Sequence, residues 1–221
     1  MIEVGGHGPL GERLRRAMGE PLPNWREIYD GFRPRNLQTG VRRARVPAED
    51  VRRAAVLVPI LQTPGGARVV YTLRTDGLRD HAGQVSFPGG SVDPQDASLL
   101  ETALREAEEE VDLRRDLIEV VGELEDMYVP PSRFLVKPFV ALLPPEAEMV
   151  LAPDEVEAIF SVPLEELMSR DSFRMGVRER DGCRMEIPLF AVGGHEIWGA
   201  TAAMTANLLA RLGWDTDAVV R

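Results

Sequence analysis

The sequence predicts a single α/β domain, and three observations carry that reading. β-rich runs alternate with helical stretches over most of the chain. Leu100, Ala103, Leu104, Ala107 and Val111 fall on one stripe when plotted at about 100° per residue, the pattern of an amphipathic helix with a definite inside. Pro64-Gly65-Gly66 joins two β-rich runs as a hairpin signal. A chain of 221 residues with 44% hydrophobic residues can fill one sizeable core, and no second full domain is demanded.

Taken in order, residues 9–19 read as a short polar helix. Pro21 to Pro34 reads as an irregular arm with Trp25, Tyr29 and Phe32 available to pack on the core. Residues 1–45 thus form an N-terminal helical and irregular arm, and residues 46–221 form the domain. Ala54 to Gln62 and Ala67 to Thr75 are strands, and Gln84 to Phe87 is a short strand leading into the glycine turn Phe87-Pro88-Gly89-Gly90. A helix starts after Asp96 or Ser98, either of which suits an N-cap. Ile118 to Leu124, Phe134 to Leu143 and Ala158 to Val162 are further strands, with Pro144-Pro145 ending one of them. A hairpin from about Ser172 to Phe190 turns at Asp181-Gly182-Cys183-Arg184, and an Ala- and Leu-rich helix runs from Ala200 to Arg211.

The helix after the glycine turn carries Arg105-Glu106-Ala107-Glu108-Glu109-Glu110. Glu106, Glu109 and Glu110 share one flank of it, while Glu101 and Glu108 project from the other. Side chains spaced i, i+3 and i+4 stand roughly 5–6 Å apart, so the three carboxylates repel one another unless a cation joins them. Hard oxygen donors suit Mg²⁺ or Mn²⁺. Gly89 and Gly90, lacking a Cβ, let backbone groups come close to a ligand. A Glu-rich run alone is usually a solvated face; joined to the glycine turn, it reads as a divalent-metal site built for a pyrophosphate.

From Gly90 to Leu113 the chain resembles the Nudix box, G-x5-E-x7-R-E-U-x-E-E-x-G-U with U aliphatic, through Arg105, Glu106, Ala107, Glu109, Glu110 and Leu113. Asp96 stands where the first Glu is expected, one residue further from Arg105 than in the pattern, and Asp112 replaces the usual Gly. Upstream, Val70-Tyr71-Thr72-Leu73-Arg74-Thr75, Arg79, Gly83 and Phe87-Pro88-Gly89-Gly90 resemble the signature L-L-T-x-R-S-x3-R-x3-G-x3-F-P-G-G of the coenzyme A pyrophosphatase branch of the Nudix hydrolases, with every spacing kept. Pro130-Pro131 with Phe134-Leu135-Val136, Asp154-Glu155-Val156 and Ile197-Trp198-Gly199-Ala200-Thr201-Ala202 are similar to later segments of that branch.

The resemblance implies a mixed β-sheet sandwiched between helices. It implies Mg²⁺ or Mn²⁺ held by Glu106 and Glu110, with Glu109 as a further ligand and the Gly89 carbonyl completing the set. It makes Arg105 the residue that holds a neighbouring Glu by a bidentate contact. Arg74 and Arg79 become partners of nucleotide or diphosphate oxygens, and Gly83 and Phe87 shape the substrate site. Glu155 and Glu109 are both candidates for the general base. The implied reaction is hydrolysis of coenzyme A or a derivative to 3′,5′-ADP and a 4′-phosphopantetheine product. Another nucleoside diphosphate derivative, such as ADP-ribose or NADH, and a non-catalytic Nudix-like binding module are the competing readings.

Charge and cysteine content narrow the partners. A net charge of −10 argues against a nucleic-acid-binding surface, although Arg68, Arg74, Arg79 and His81 leave one flank able to receive anions. Cys183 is the only cysteine, so no intrachain disulfide forms. No stretch reads as a secretory signal or as a membrane span, and a cytoplasmic protein with a small-molecule substrate is expected. A homodimer is compatible with the sequence, which is silent on oligomeric state.

Overall fold

The computed structural model describes residues 9–42, 51–75, 83–180 and 182–220. Arg79 and His81, and the division expected at residue 45, lie outside the described residues.

In chain order the elements are α1 Pro9–Met18, α2 Trp25–Gly31, β1 Arg35–Asn36, β2 Arg52–Thr63, β3 Gly66–Arg74, β4 Val85–Ser86, β5 Gly89–Ser91, α3 Leu99–Val111, β6 Glu119–Glu123, β7 Met127–Val129, β8 Phe134–Leu143, β9 Val156–Pro163, α4 Leu164–Met168, β10 Phe173–Arg180, β11 Cys183–Val192, β12 His195–Trp198, α5 Gly199–Arg211 and α6 Asp217–Val220. The main sheet has eight strands and is mixed. β2 and β8 run parallel at its centre, and its other pairings are antiparallel. This is the α/β fold that the sequence predicts.

Both faces of the sheet are covered, and β2 shows why. Its side chains alternate, so Ala54, Val58 and Ile60 enter one core while Ala55 and Leu57 enter the other. The second core is closed by α3 through Ala103, Ala107 and Val111, with Leu100 and Leu104 packed at its edge. The first core is closed by α5, whose Ala202, Ala206, Leu208 and Leu209 are buried, together with α1 and α2. A strand buried on both sides reads as a nearly continuous apolar run, as Ala54 to Leu61 does.

A smaller sheet is built by the β10–β11 hairpin, with β12 and β1 pairing the other edge of β11. Phe32, Phe173, Phe190 and Trp214 form an aromatic cluster against it, with ring centroids 5.5–6.3 Å apart.

The N-terminal arm is more regular than the sequence predicts. Trp25 to Gly31 is helical because Trp25, Ile28, Tyr29 and Phe32 recur at helical spacing and bury one face, with Tyr29 and Phe32 nearly inaccessible. The Tyr29 hydroxyl donates to the Tyr128 carbonyl at 2.6 Å. Arg42 Nη1 donates to the carbonyls of Asp30, Gly31 and Arg33 at 3.2, 2.8 and 3.2 Å, which satisfies the end of α2. The glycine turn is likewise partly a strand, because Gly89–Ser91 pairs antiparallel with Ala54 to Val56.

Candidate active site

The acidic helix is positioned at both ends by its own sequence. Ser98 Oγ accepts the Glu101 N–H at 3.2 Å, so Ser98 is the N-cap. At the other end Asp112 adopts φ 51°, the left-handed conformation that the usual Gly would take more readily. The chain then leaves towards Leu113, which is fully buried.

Glycines at 89 and 90 are required by contact. A Cβ on Gly89 would lie 2.4 Å from the Ala55 carbonyl oxygen and 2.6 Å from Val56 Cα; one on Gly90 would lie 2.5 Å from Glu106 Cδ. The absence of side chains lets β5 press against β2 and lets the Glu106 carboxylate lie directly over the strand.

The three carboxylates expected on one flank are there, at different depths. Glu110 is buried and accepts the Gly89 N–H at Oε2 (3.1 Å) and Arg74 Nη1 at Oε1 (3.1 Å). Glu106 is half-buried and accepts Arg105 Nη1 at 2.9 Å, and the exposed Glu109 accepts the same nitrogen at 2.8 Å. On the opposite flank Arg115 bridges Glu101 and Glu108, as the helical wheel requires.

Arg105 differs from its expected role in one respect. Its bidentate partner is Asp96, with Nε to Oδ1 at 2.9 Å and Nη2 to Oδ2 at 3.0 Å, whereas Glu106 and Glu109 each receive a single bond. Asp96 also accepts the Thr102 hydroxyl and the Asp93 N–H, both at 2.8 Å. A carboxylate with four donors is the strong acceptor that a planar guanidinium fork matches.

Glu155 reaches the same region on the loop before β9. Ala152 N–H donates to the Glu110 carbonyl at 2.9 Å, the Glu155 N–H donates to Ala152, and the Glu155 carbonyl accepts the Thr75 N–H at 3.1 Å. The loop is thereby tied to both the acidic helix and the end of β3. Arg74 closes the hairpin there: its N–H donates to the Gln84 carbonyl and its carbonyl accepts the Gly83 N–H, each at 3.1 Å, with Gly83 at φ 65°. Phe87 is buried, its ring stacked 4.9 Å from that of Tyr71. It is buried yet contributes to the lining of the cavity that also takes in Arg74, Gly89 and Gly90.

The electrostatics are those of a negative cluster short of cations. Burial pushes the Glu110 carboxyl up to about 7, with Arg74 and the Gly89 N–H opposing and the charges of Glu106 and Glu155 adding to the rise. Burial raises Glu106 as well; Arg105 opposes this, while Glu109 and Glu155 reinforce it. Asp96 goes the other way, held far below the usual carboxylate range mainly by its bond from Arg105. Among the described residues no three Asp, Glu, His or Cys side chains stand as a ready-made coordinating set. The physical reason is visible in the arginines, which draw Glu106 and Glu109 towards Arg105 and Glu110 towards Arg74.

A NUDIX domain pattern matches residues 51–180, which is more than half of the chain. The chain belongs to the Nudix family. Curated relatives agree: an uncharacterized Nudix hydrolase NudL of Photorhabdus laumondii is 41% identical over 161 residues, covering 73% of this chain and 85% of that protein. A protein of the same description from Yersinia pestis is 40% identical over 157 residues, covering 71% and 78%. A solved NUDIX hydrolase from Alicyclobacillus acidocaldarius superposes with a TM-score of 0.53 at 20% identity over 73% of this chain and 92% of its own, a likeness of fold. This Nudix hydrolase is therefore a pyrophosphatase of small-molecule substrates. Its relatives generally use a divalent ion such as Mg²⁺ or Mn²⁺. No helix among the described residues is long and apolar enough to cross a membrane.

Sequence reasoning missed three parts of the site. The pairing of Arg74 with Glu110 joins residues 36 positions apart and has no local signal. The Ser91 carbonyl, which accepts Arg105 Nη2 at 3.1 Å, is backbone and carries none. The Asp96 anchor did have one, in the Asp93-x-x-Asp96 turn followed by Thr102.

Proposed function

We propose that this Nudix hydrolase cleaves the diphosphate of coenzyme A or a derivative, giving 3′,5′-ADP and 4′-phosphopantetheine or its acylated form. One observation carries the substrate assignment. Among the described residues of the upstream signature, Gly83 bonds back to Arg74 at the end of β3, and Arg74 and Gly89 both donate to the Glu110 carboxylate. A substrate motif that converges on the acidic helix at this point fits a group held beside the reacting diphosphate.

The donor set fits a divalent cation. Glu106, Glu109 and Glu110 supply hard oxygens on one flank of the helix, with Glu110 buried beside the Gly89 backbone. Glu106, Glu110 and the Gly89 carbonyl would hold the ion, with Glu109 as a further ligand. A bound Mg²⁺ or Mn²⁺ supplies charge neutralisation on the diphosphate and a lower pKa for an attacking water.

The chain's own residues do the rest. Arg105, fixed by Asp96, orients Glu106 and Glu109. Arg74 and Arg79 meet phosphate oxygens, for which a guanidinium fork is suited. Gly83 closes back on the Arg74 carbonyl, and Phe87 supports the strand that presents Gly89. Glu155 takes the proton from water, because Glu109 is already engaged by Arg105 and is placed in the metal set.

The deciding experiment incubates the purified protein with coenzyme A and Mg²⁺ or Mn²⁺ and resolves the products by chromatography. Release of 3′,5′-ADP is expected. Turnover of ADP-ribose or NADH with no 3′,5′-ADP from coenzyme A would sink the assignment.

A further inference from the structure

The three carboxylates assigned to the ion are held with very different firmness. The Glu110 side chain is 2% exposed and has a donor on each oxygen, the Gly89 N–H at Oε2 and Arg74 Nη1 at Oε1, both at 3.1 Å. Glu106 and Glu109, at 15% and 57%, each take a single bond from one arginine nitrogen. Glu110 is the post of the site, and the other two have room to rotate.

Arg74 reaches that post from a fixed origin. Leu73 packs against the first core, so the alternation of β3 turns Arg74 towards the other face, where α3 carries Glu110. The Arg74 N–H and carbonyl are taken up by Gln84 and Gly83. Nη1 is the only nitrogen of its side chain that is bonded among the described residues, and Arg74 also lines the cavity. Nε and Nη2 can therefore serve a phosphate oxygen while Nη1 stays on Glu110. A carboxylate oxygen has two lone pairs, so each oxygen of Glu110 gives one to its donor and keeps one, in a set direction, for a cation. Pinning the side chain also removes the loss of rotamer freedom that would oppose ion binding.

We propose that Arg74 is a positioning residue for the metal ligand: it pins Glu110 beside the Gly89 backbone and remains on it when the ion binds. Resting on the metal-dependent reading above, this gives one guanidinium two partners at once and ties the ion site to the anion site.

The test measures Mn²⁺ affinity by isothermal titration, without substrate, for the wild type, Arg74→Lys and Arg74→Gln. Arg68→Lys is the control, since Arg68 lies on the same strand and bonds only Ser161 of β9. Lysine keeps the charge but is one bond shorter and lacks the planar fork. Both Arg74 variants should bind Mn²⁺ about tenfold or more weakly, the usual cost of losing an outer partner of a metal ligand, and Arg68→Lys should bind as the wild type does. A guanidinium that acts only as a nearby charge predicts otherwise: unchanged affinity for Arg74→Lys and tighter binding for Arg74→Gln. Either result, or an equal loss in Arg68→Lys, overturns the inference and leaves the metal site intact. Should neither Arg74 variant fold, NMR of the wild type decides: the Arg74 guanidinium protons should stay protected from exchange through a Mg²⁺ titration, and their release to solvent would overturn the inference. A wild-type protein that binds no Mn²⁺ overturns both the inference and the metal reading.

Discussion

Arg105 and Asp96 form a two-pronged ion pair across nine residues of chain, and that pair fixes the guanidinium from which both Glu106 and Glu109 hang. Asp96 is shielded from solvent and Arg105 largely so. Removing one partner leaves the other charged and poorly solvated.

Asp96→Asn should therefore do two things. One prong of the fork would face an amide N–H, so stability should fall by about 1–3 kcal/mol. Arg105 would also be free to pull harder on the two glutamates, so metal-dependent kcat/KM should drop at least about tenfold. Thermal unfolding and steady-state kinetics on the same preparation read both quantities. A lower melting temperature with unchanged kcat/KM would assign the pair to stability alone.

Glu155 and Glu109 can be separated by their pH profiles. A general base must be ionised, so kcat/KM of the wild type should fall as pH drops through the pKa of that base. Glu155→Gln should cost about 10²- to 10⁴-fold and remove that acidic limb. Glu109→Gln should leave the limb in place with a smaller loss, accompanied by a higher metal requirement. The reverse pattern would exchange the two roles.

The sequence made the strands, the hairpins and the acidic helix legible because each rests on local periodicity or on Gly and Pro punctuation. Ala103, Ala107 and Val111 point inward and Glu101 and Glu108 outward, as a helical wheel dictates. Short elements escaped for the same reason, since two or three residues carry no period: Met127–Val129 folds back on Phe134–Val136 close by, and Arg35–Asn36 is held by Met185 and Glu186, far along the chain. The arm helix was hidden by the prolines around it. Within the site, carboxylate placement followed from spacing, whereas the pairing of Arg74 with Glu110 depends on tertiary closure that no local pattern encodes.

Glu125 gives a pH-dependent stability that is independent of the active site. Burial pushes its carboxyl up, but bonds from Arg211 Nη2 (2.6 Å), the Leu22 N–H (2.9 Å) and Asn207 Nδ2 (2.7 Å) outweigh this and leave it below its ordinary value. A folded-state pKa below the unfolded value of about 4.3 means that the stabilisation is fully present above that pH and is lost as pH falls through the folded pKa. Denaturant unfolding between pH 3 and 7 should show wild-type stability falling on the acid side, and Glu125→Gln should flatten that slope while lowering stability at pH 7 by about 1–2 kcal/mol. Parallel curves for the two proteins would rule out Glu125 as the source.

Adjacent glycines should fail in different ways when replaced by alanine. At Gly89 the new Cβ meets backbone, the Ala55 carbonyl and Val56 Cα, in a strand that cannot move without breaking its pairing with β2. Gly89→Ala should therefore destabilise the fold by about 3 kcal/mol or more, the scale of a severe steric clash. At Gly90 the Cβ meets the far end of the Glu106 side chain, which can rotate away. Gly90→Ala should keep a melting temperature near that of the wild type yet lose metal-dependent turnover, because the shifted carboxylate is the one assigned to the ion. Isothermal titration with Mn²⁺ separates the cases: weakened binding in a folded Gly90→Ala protein is expected, and wild-type affinity would remove Glu106 from the ligand set.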